Sequence, residues 1–144
     1  MNAMLRGWVG LLFLAGGCGA SPPLAPDAAL IDPNAPPPAG PTVEAGFVGV
    51  GHRAGGRVRL TLGQGRGRLE FQSDFVVDAV PTPYIYLNTT QNPNSGKPLR
   101  IALLRANGGG QQYDFEVPAG VEYAWILIWC DRFNVPVAEA AIPQ

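Results

Sequence analysis

From residue 42 onward the chain is written in short alternating runs. Val58, Leu60 and Leu62 alternate with Arg57, Arg59 and Thr61, the period of two that gives a strand one buried and one wet face. Leu69 and Phe71 carry the buried face on beyond the glycine-rich turn 63–67, so residues 57–72 predict a hairpin. Residues 84–87, 99–104 and 112–117 predict further strands, separated by the polar loop 88–98 and by Gly108, Gly109 and Gly110. The strongest run, 124–129, is apolar on both faces, with Trp125, Leu127 and Trp129 on one and Ile126 and Ile128 on the other. It predicts a central strand covered on both sides. Cys130 follows in the register of Ile126 and Ile128, and Asp131 and Arg132 end the run, which puts the thiol at the rim of the core. No stretch keeps a helical period, and 19 Gly and 15 Pro among 144 residues argue against long helices. The expectation is an all-β fold: a single antiparallel β-sandwich of about seven to eight short strands over residues 44–144.

Two different segments precede it. Residues 1–17 carry Arg6 and then an apolar stretch from Trp8 to Ala15, too short to span a bilayer as a mature helix, and read as an export signal. The signal closes on Leu14-Ala15-Gly16-Gly17-Cys18, which resembles the bacterial lipobox, with leucine one step further back than that pattern prefers. The lipobox implies acylation of Cys18 and a membrane-anchored lipoprotein of the cell envelope, on the periplasmic or surface side. An ordinary secretory signal cut after Ala20 is the alternative. Residues 18–43 are dense in Pro and Ala and read as a linker. In polyproline II, at roughly 3.1 Å per residue, about twenty residues reach ~60 Å.

Charge and cysteine usage narrow the chemistry. Ten Lys and Arg stand against eleven Asp and Glu, and without Arg6, Asp27 and Asp32 the residues 44–144 are formally neutral, so no global field exists to collect nucleic acid. Two cysteines and one histidine exclude an iron–sulfur cluster, a Cys-rich zinc site and a blue-copper site. With Cys18 acylated or removed, Cys130 is the single thiol and no internal disulfide can form. It is then a reactive group, a ligand, or a small hydrophobe filling space. His52, the one imidazole, is a candidate partner for that thiol or a solvated histidine. Asp114 and Glu116, two apart on a strand, are expected on a solvated face, and Arg53, Arg57, Arg59, Arg66 and Arg68 on an outward basic face. No Gly-x-Ser-x-Gly is present, and Asn88-Thr89-Thr90 is a formal glycosylation sequon.

The segment Trp125 to Ile142, with Trp129-Cys130-Asp131-Arg132-Phe133-Asn134-Val135 at its centre, resembles the signature of the electron-transfer DM domain, the DM thirteen family. Gly46-Phe47 with His52 and Gly56-Arg57-Val58, Asp74-Phe75, the run from Pro81 through Tyr84-Ile85-Tyr86-Leu87, and Tyr113 to Pro118 are similar to its other conserved blocks. Val137 and Ala138 depart from it, where the family has Phe and Gly. The resemblance implies a redox role with Cys130 as the active position, and Trp129, Arg132, Phe133 and His52 around it. A lone thiol holds no two-electron couple, so Cys130 needs a partner's thiol, a sulfenic acid state, or a haem or metal supplied from elsewhere. The expectation is an envelope electron-transfer lipoprotein working with an envelope redox protein. The alternative is a non-catalytic envelope module that recognises a protein or glycan, with Cys130 structural. Nothing in the sequence points to turnover, so an enzyme is not the expectation.

Overall fold

The computed structural model describes residues 21–144, so the expected export signal 1–17 and the lipidation candidate Cys18 lie outside the described residues. The alternating runs become strands β1 (Thr42–Gly46), β2 (Val48–Gly49), β3 (Ala54–Gly55), β4 (Arg57–Gly63), β5 (Arg66–Phe71), β6 (Val76–Val77), β7 (Pro83–Asn88), β8 (Leu99–Leu103), β9 (Gln111–Glu116), β10 (Trp125–Cys130) and β11 (Val135–Ala141). Eight of them have five to seven residues and three have two. Every pairing between these strands is antiparallel. A four-stranded sheet runs β1-β4-β5-β9, a five-stranded sheet β2-β11-β10-β7-β8, and β3 pairs with β6. The fold is therefore the all-β sandwich that the alternation predicts.

The core lies between the two sheets. Val58, Leu60, Leu69, Phe71, Tyr113 and Phe115 face Ile85, Leu87, Ile101, Ile126, Ile128 and Val137 across it. At one end Phe47, Phe71, Phe75 and Tyr113 form an aromatic chain with ring centroids 4.6–5.7 Å apart. The glycine before it is forced: Gly56 has φ +89°, and a Cβ there would stand 2.4 Å from the Asp74 carbonyl oxygen.

β10 is the middle strand of the five, as its two apolar faces require. Ile126, Ile128 and Cys130 enter the inter-sheet core, and Leu127 and Trp129 join Tyr86 in a second cluster on the outer face, flanked by Ala25, Tyr84 and Trp125. The register with β11 shifts between Ile128 and Trp129, since Ile128 faces Ala138 while Trp129 faces Pro136. Val137 is the extra residue of this bulge and is fully buried.

The Pro/Ala stretch behaves differently from the free tether its composition suggests. The Ala28 amide donates to the Arg100 carbonyl at 2.8 Å, and the Arg100 amide to the Pro26 carbonyl at 2.9 Å, which adds the segment to the β8 edge of the larger sheet. Three residues on, the Ile31 amide donates to Asp114 and the Glu116 amide to Ala29, on the β9 edge of the smaller sheet. The guanidiniums of Arg66 and Arg68 bond the carbonyls of Pro36 and Ala35. The segment is a strap that stitches the two sheet edges. Proline suits it, because its missing N–H would otherwise face solvent beside an edge.

Two surface expectations are corrected with it. Asp114 is buried, only Glu116 of the pair is exposed, and Asp114 accepts from Arg68 at 2.6 Å and from Gln112 at 2.7 Å beneath the strap. Four of the five arginines of the basic cluster are matched by acids brought from other strands and loops. Arg57 pairs with Asp74 and Glu44, Arg59 with Glu44, Arg53 with Asp78 and Arg68 with Asp114. The sequon asparagine is also engaged: Asn88 is fully buried and its amide donates to Thr90, Asn92 and Ser95.

Candidate functional site

Cys130 ends β10 at the rim, opposite Pro83 of β7 and Val135 of β11. It is a free thiol, 1% exposed. Its Sγ–H donates to the Pro81 carbonyl at 3.0 Å, in the loop that leads into β7. That loop is tied to the turn after β10 through Thr82, whose carbonyl accepts from the Asp131 amide at 3.1 Å and whose hydroxyl accepts from the Arg132 amide at 2.8 Å. Thr82 holds φ +48°, a left-handed conformation that a β-branched residue adopts only under constraint.

The next residue points the other way. Asp131 is buried on the outer side of the sheet, where it accepts from the Tyr86 hydroxyl at 2.7 Å and from Arg100 Nη1 at 2.8 Å. Arg100 also reaches Asp27 of the strap, through Nε at 2.5 Å and Nη2 at 3.1 Å, and its guanidinium lies 4.4 Å from the centroid of the Tyr84 ring. Burial drives the Tyr86 hydroxyl far above the usual tyrosine range, and its bond to Asp131 adds to the rise. The hydrogen bond from Arg100 holds the Asp27 carboxyl below the usual range. Strap, sheet and cysteine turn thus share one charged network.

The expected neighbours of the thiol divide between the two faces and the surface. Trp129 is buried in the outer cluster, and its indole donates to Asn134 Oδ1 at 2.9 Å. Asn134 has φ +51° and exchanges two hydrogen bonds with Asn94 of the loop between β7 and β8, so that loop is folded back across the outer face. Arg132 and Phe133 stand in the solvent-exposed turn, with the guanidinium 5.5 Å from the Phe133 ring centroid and so engaged away from the sulfur. His52 is half-buried in the turn between β2 and β3, and the hydrogen bond of Cys130 goes to Pro81 and not to His52. Tyr86, Asp131, Arg100 and Asp27 are the polar residues that sequence reasoning left out. The one signal for them was an acid placed directly after a doubly covered strand, because a carboxylate at such a place needs a buried partner.

A haem or metal ligated through Cys130 does not fit this arrangement. The sulfur donates to a neutral carbonyl and does not line the cavities bordered by Ser21 and Asn134, Thr89 and Glu122, Leu30 and Asp114, or Pro41 and Gln144. Among the described residues no group of three or more His, Cys, Asp and Glu side chains is placed to hold a metal ion. What the arrangement offers is one protonated thiol beneath a single loop, with a carboxylate, a tyrosine and an arginine on the opposite face of the same strand end.

Fold and site define a small β-sandwich with one buried thiol at the end of its central strand. The chain belongs to the Electron transfer DM13 family, whose model matches residues 46–142. Membership suggests a redox or electron-transfer role. No curated protein and no solved structure matches the chain. The strap, residues 21–41, precedes the matched region.

Proposed function

We propose that the protein is an electron-transfer lipoprotein of the cell envelope, exported by residues 1–17, anchored through acylated Cys18, and acting through Cys130. The observation that carries this is the hydrogen bond of the Cys130 thiol to the Pro81 carbonyl at 3.0 Å. The Cys130 sulfur lies directly under the loop before β7, and Thr82 of that loop makes two hydrogen bonds to the cysteine turn. When the loop lifts, Cys130 as thiolate attacks a sulfur of a partner protein's disulfide. The new bond joins Cys130 to that sulfur, the partner's own S–S bond breaks, and the displaced partner thiolate takes a proton. Cys130 is oxidised as the partner is reduced, and attack by the released thiol reverses the step.

The 1% exposure of Cys130 favours a second reading, an envelope binding module in which the cysteine is packing. Maleimide labelling of the folded protein separates the two. With loop gating, Cys130 reacts at a finite rate in the absence of urea, and Thr82→Ala raises that rate while leaving the unfolding midpoint close to its original value. A thiol that reacts only across the global unfolding transition overturns exchange chemistry and leaves the binding module.

A further inference from the structure

Thiol exchange at Cys130 uses the inner face of the strand end and leaves the outer face idle. On that outer face stand four aromatic side chains, Tyr84, Tyr86, Trp125 and Trp129, packed with Leu127 and Ala25. Tyr86 and Trp129 are buried, whereas Tyr84 and Trp125 are half-buried and bring the cluster to the surface. The register of β7 with β10 sets this order, since Tyr84 faces Trp129 and Tyr86 faces Leu127.

A buried aromatic ring can give up an electron only if the positive charge left behind is accommodated, most readily by losing a proton to a base already in hydrogen-bond contact. Tyr86 has that base. Its hydroxyl donates to Asp131 Oδ1 at 2.7 Å, and burial keeps the phenol protonated far beyond its ordinary range. Its neighbours are less well placed. Trp129 donates its indole N–H to the amide oxygen of Asn134, which is no base, and the Arg100 guanidinium 4.4 Å from the Tyr84 ring centroid opposes positive charge there. Tyr113, in the other sheet, bonds the amide oxygen of Gln111. Among the described residues Tyr86 is thus the tyrosine that meets a carboxylate.

The charges around Asp131 suit the same step. Tyr86 uses Oδ1 and Arg100 uses Oδ2, so a proton arriving on Oδ1 leaves the bond from Arg100 in place. Arg100 also holds a second carboxylate, Asp27. Two acids on one guanidinium carry a surplus negative charge, which lowers the cost of drawing an electron out of the neighbouring ring. Once Asp131 is protonated, Asp27 remains as the counter-ion of Arg100 and the cluster is neutral.

We propose that Tyr86 is a one-electron redox residue with Asp131 as its proton acceptor. The electron passes to a high-potential one-electron oxidant, such as the high-valent haem iron of a partner protein. The phenol O–H bond breaks as an O–H bond forms at Asp131 Oδ1, leaving a neutral tyrosyl radical. A one-electron reductant such as a hydroquinone returns the electron, and the proton goes back from Asp131 to the phenol oxygen. The inference rests on the electron-transfer role of the family and is independent of thiol exchange, because Cys130 enters the inner core.

The test oxidises the full chain with photogenerated tris(bipyridine)ruthenium(III) and records the product by freeze-quench electron paramagnetic resonance, with ring-deuterated tyrosine to separate tyrosyl from tryptophan signals. The expected product is a tyrosyl radical that Tyr86→Phe abolishes and Tyr113→Phe leaves unchanged. Asp131→Asn keeps a hydrogen-bond acceptor but removes the base, and is expected to slow radical formation about ten-fold or more. Urea unfolding confirms that each variant is folded, and slower radical formation by the original chain in deuterated water is a readout that needs no variant. Protein-film voltammetry is expected to give a reversible wave that Tyr86→Phe lacks. An equal tyrosyl yield in Tyr86→Phe, a radical confined to tryptophan, an irreversible wave, or a rate that neither Asp131→Asn nor deuterated water changes overturns the inference. Those results leave maleimide labelling of Cys130 untouched, and a failure of that labelling leaves the radical at Tyr86 standing, so the two readings fail separately.

Discussion

Replacing Asp131 with alanine removes the acceptor at the centre of the network that joins strap, sheet and cysteine turn. The Tyr86 hydroxyl, buried and bonded at 2.7 Å, is left without a partner, which costs about 1–3 kcal/mol. Arg100 loses its bond at 2.8 Å but keeps Asp27, and its side chain is 25% exposed, so the charge contributes at the low end of what breaking a buried pair costs. Together the loss is about 3 kcal/mol, which in a domain this small lowers Tm by roughly 10–15 °C. Asp131→Asn keeps an acceptor for Tyr86 and gives up only the charge, so its cost is about 1–2 kcal/mol. Tyr86→Phe removes the hydroxyl and costs about 1 kcal/mol, and combining it with Asp131→Ala recovers about 1 kcal/mol of non-additivity because no orphaned donor remains. Urea unfolding followed by tryptophan fluorescence measures all four, since Trp129 and Trp125 stand on the same face as Tyr86. A cost for Asp131→Ala below about 1 kcal/mol, or strict additivity with Tyr86→Phe, would refute the network as a stabilising unit.

Alkaline pH tests Tyr86 independently. Its folded-state value is raised, so above the ordinary tyrosine pKa of about 10 the unfolded chain loses the proton that the native state keeps. Stability is therefore fully present below about pH 10 and falls as pH rises beyond it, and Tyr86→Phe makes that limb shallower in urea midpoints taken between about pH 9 and 11, the remainder belonging to Tyr113 and Tyr123, which burial also raises. Arg68→Ala leaves Asp114 buried with Gln112 as its remaining side-chain partner and is expected to cost about 3 kcal/mol by the same denaturation, while Arg59→Ala at an exposed pair costs well under about 1. Gly56→Ala forces a Cβ to within 2.4 Å of the Asp74 oxygen at φ +89° and is expected to lose about 2 kcal/mol or more, whereas Gly46→Ala, with open space at its Cβ, changes the midpoint little.

The strands were legible because their chemistry is local. Val58, Leu60 and Leu62 against Arg57 and Arg59 give the face of β4 directly, and the doubly apolar run gives β10 its central place. Partners were not legible, because pairing is non-local. Arg57 finds Asp74 and Glu44, which are 17 and 13 positions away, and Arg68 finds Asp114 across the β5–β9 ladder. Read along the chain these arginines look like a free basic face. The strap was hidden by composition, since a Pro-rich segment has the same local preference whether it floats or lies on an edge. Its apolar Leu30 and Ile31, placed after Asp27, were the residues that departed from a purely solvated linker. In the fold, Ile31 bonds Asp114 and Asp27 bonds Arg100.

The position of Cys130 decides how any thiol chemistry can proceed. A thiol gives up electrons readily only as the thiolate, and the atom that Cys130 faces is a neutral carbonyl that cannot take its proton. The one carboxylate next to it in sequence, Asp131, is on the opposite face and already holds Tyr86 and Arg100. In the folded form the sulfur is 1% exposed, which shields it from chance oxidants. Its rim location lets water reach it through a movement of the loop before β7 without parting the two sheets, and local openings of this kind require less free energy than global unfolding. On the proposed exchange chemistry the rate is set by that loop, and substitution of Thr82, the residue strained at φ +48° with both cross-links to the cysteine turn, is expected to change it.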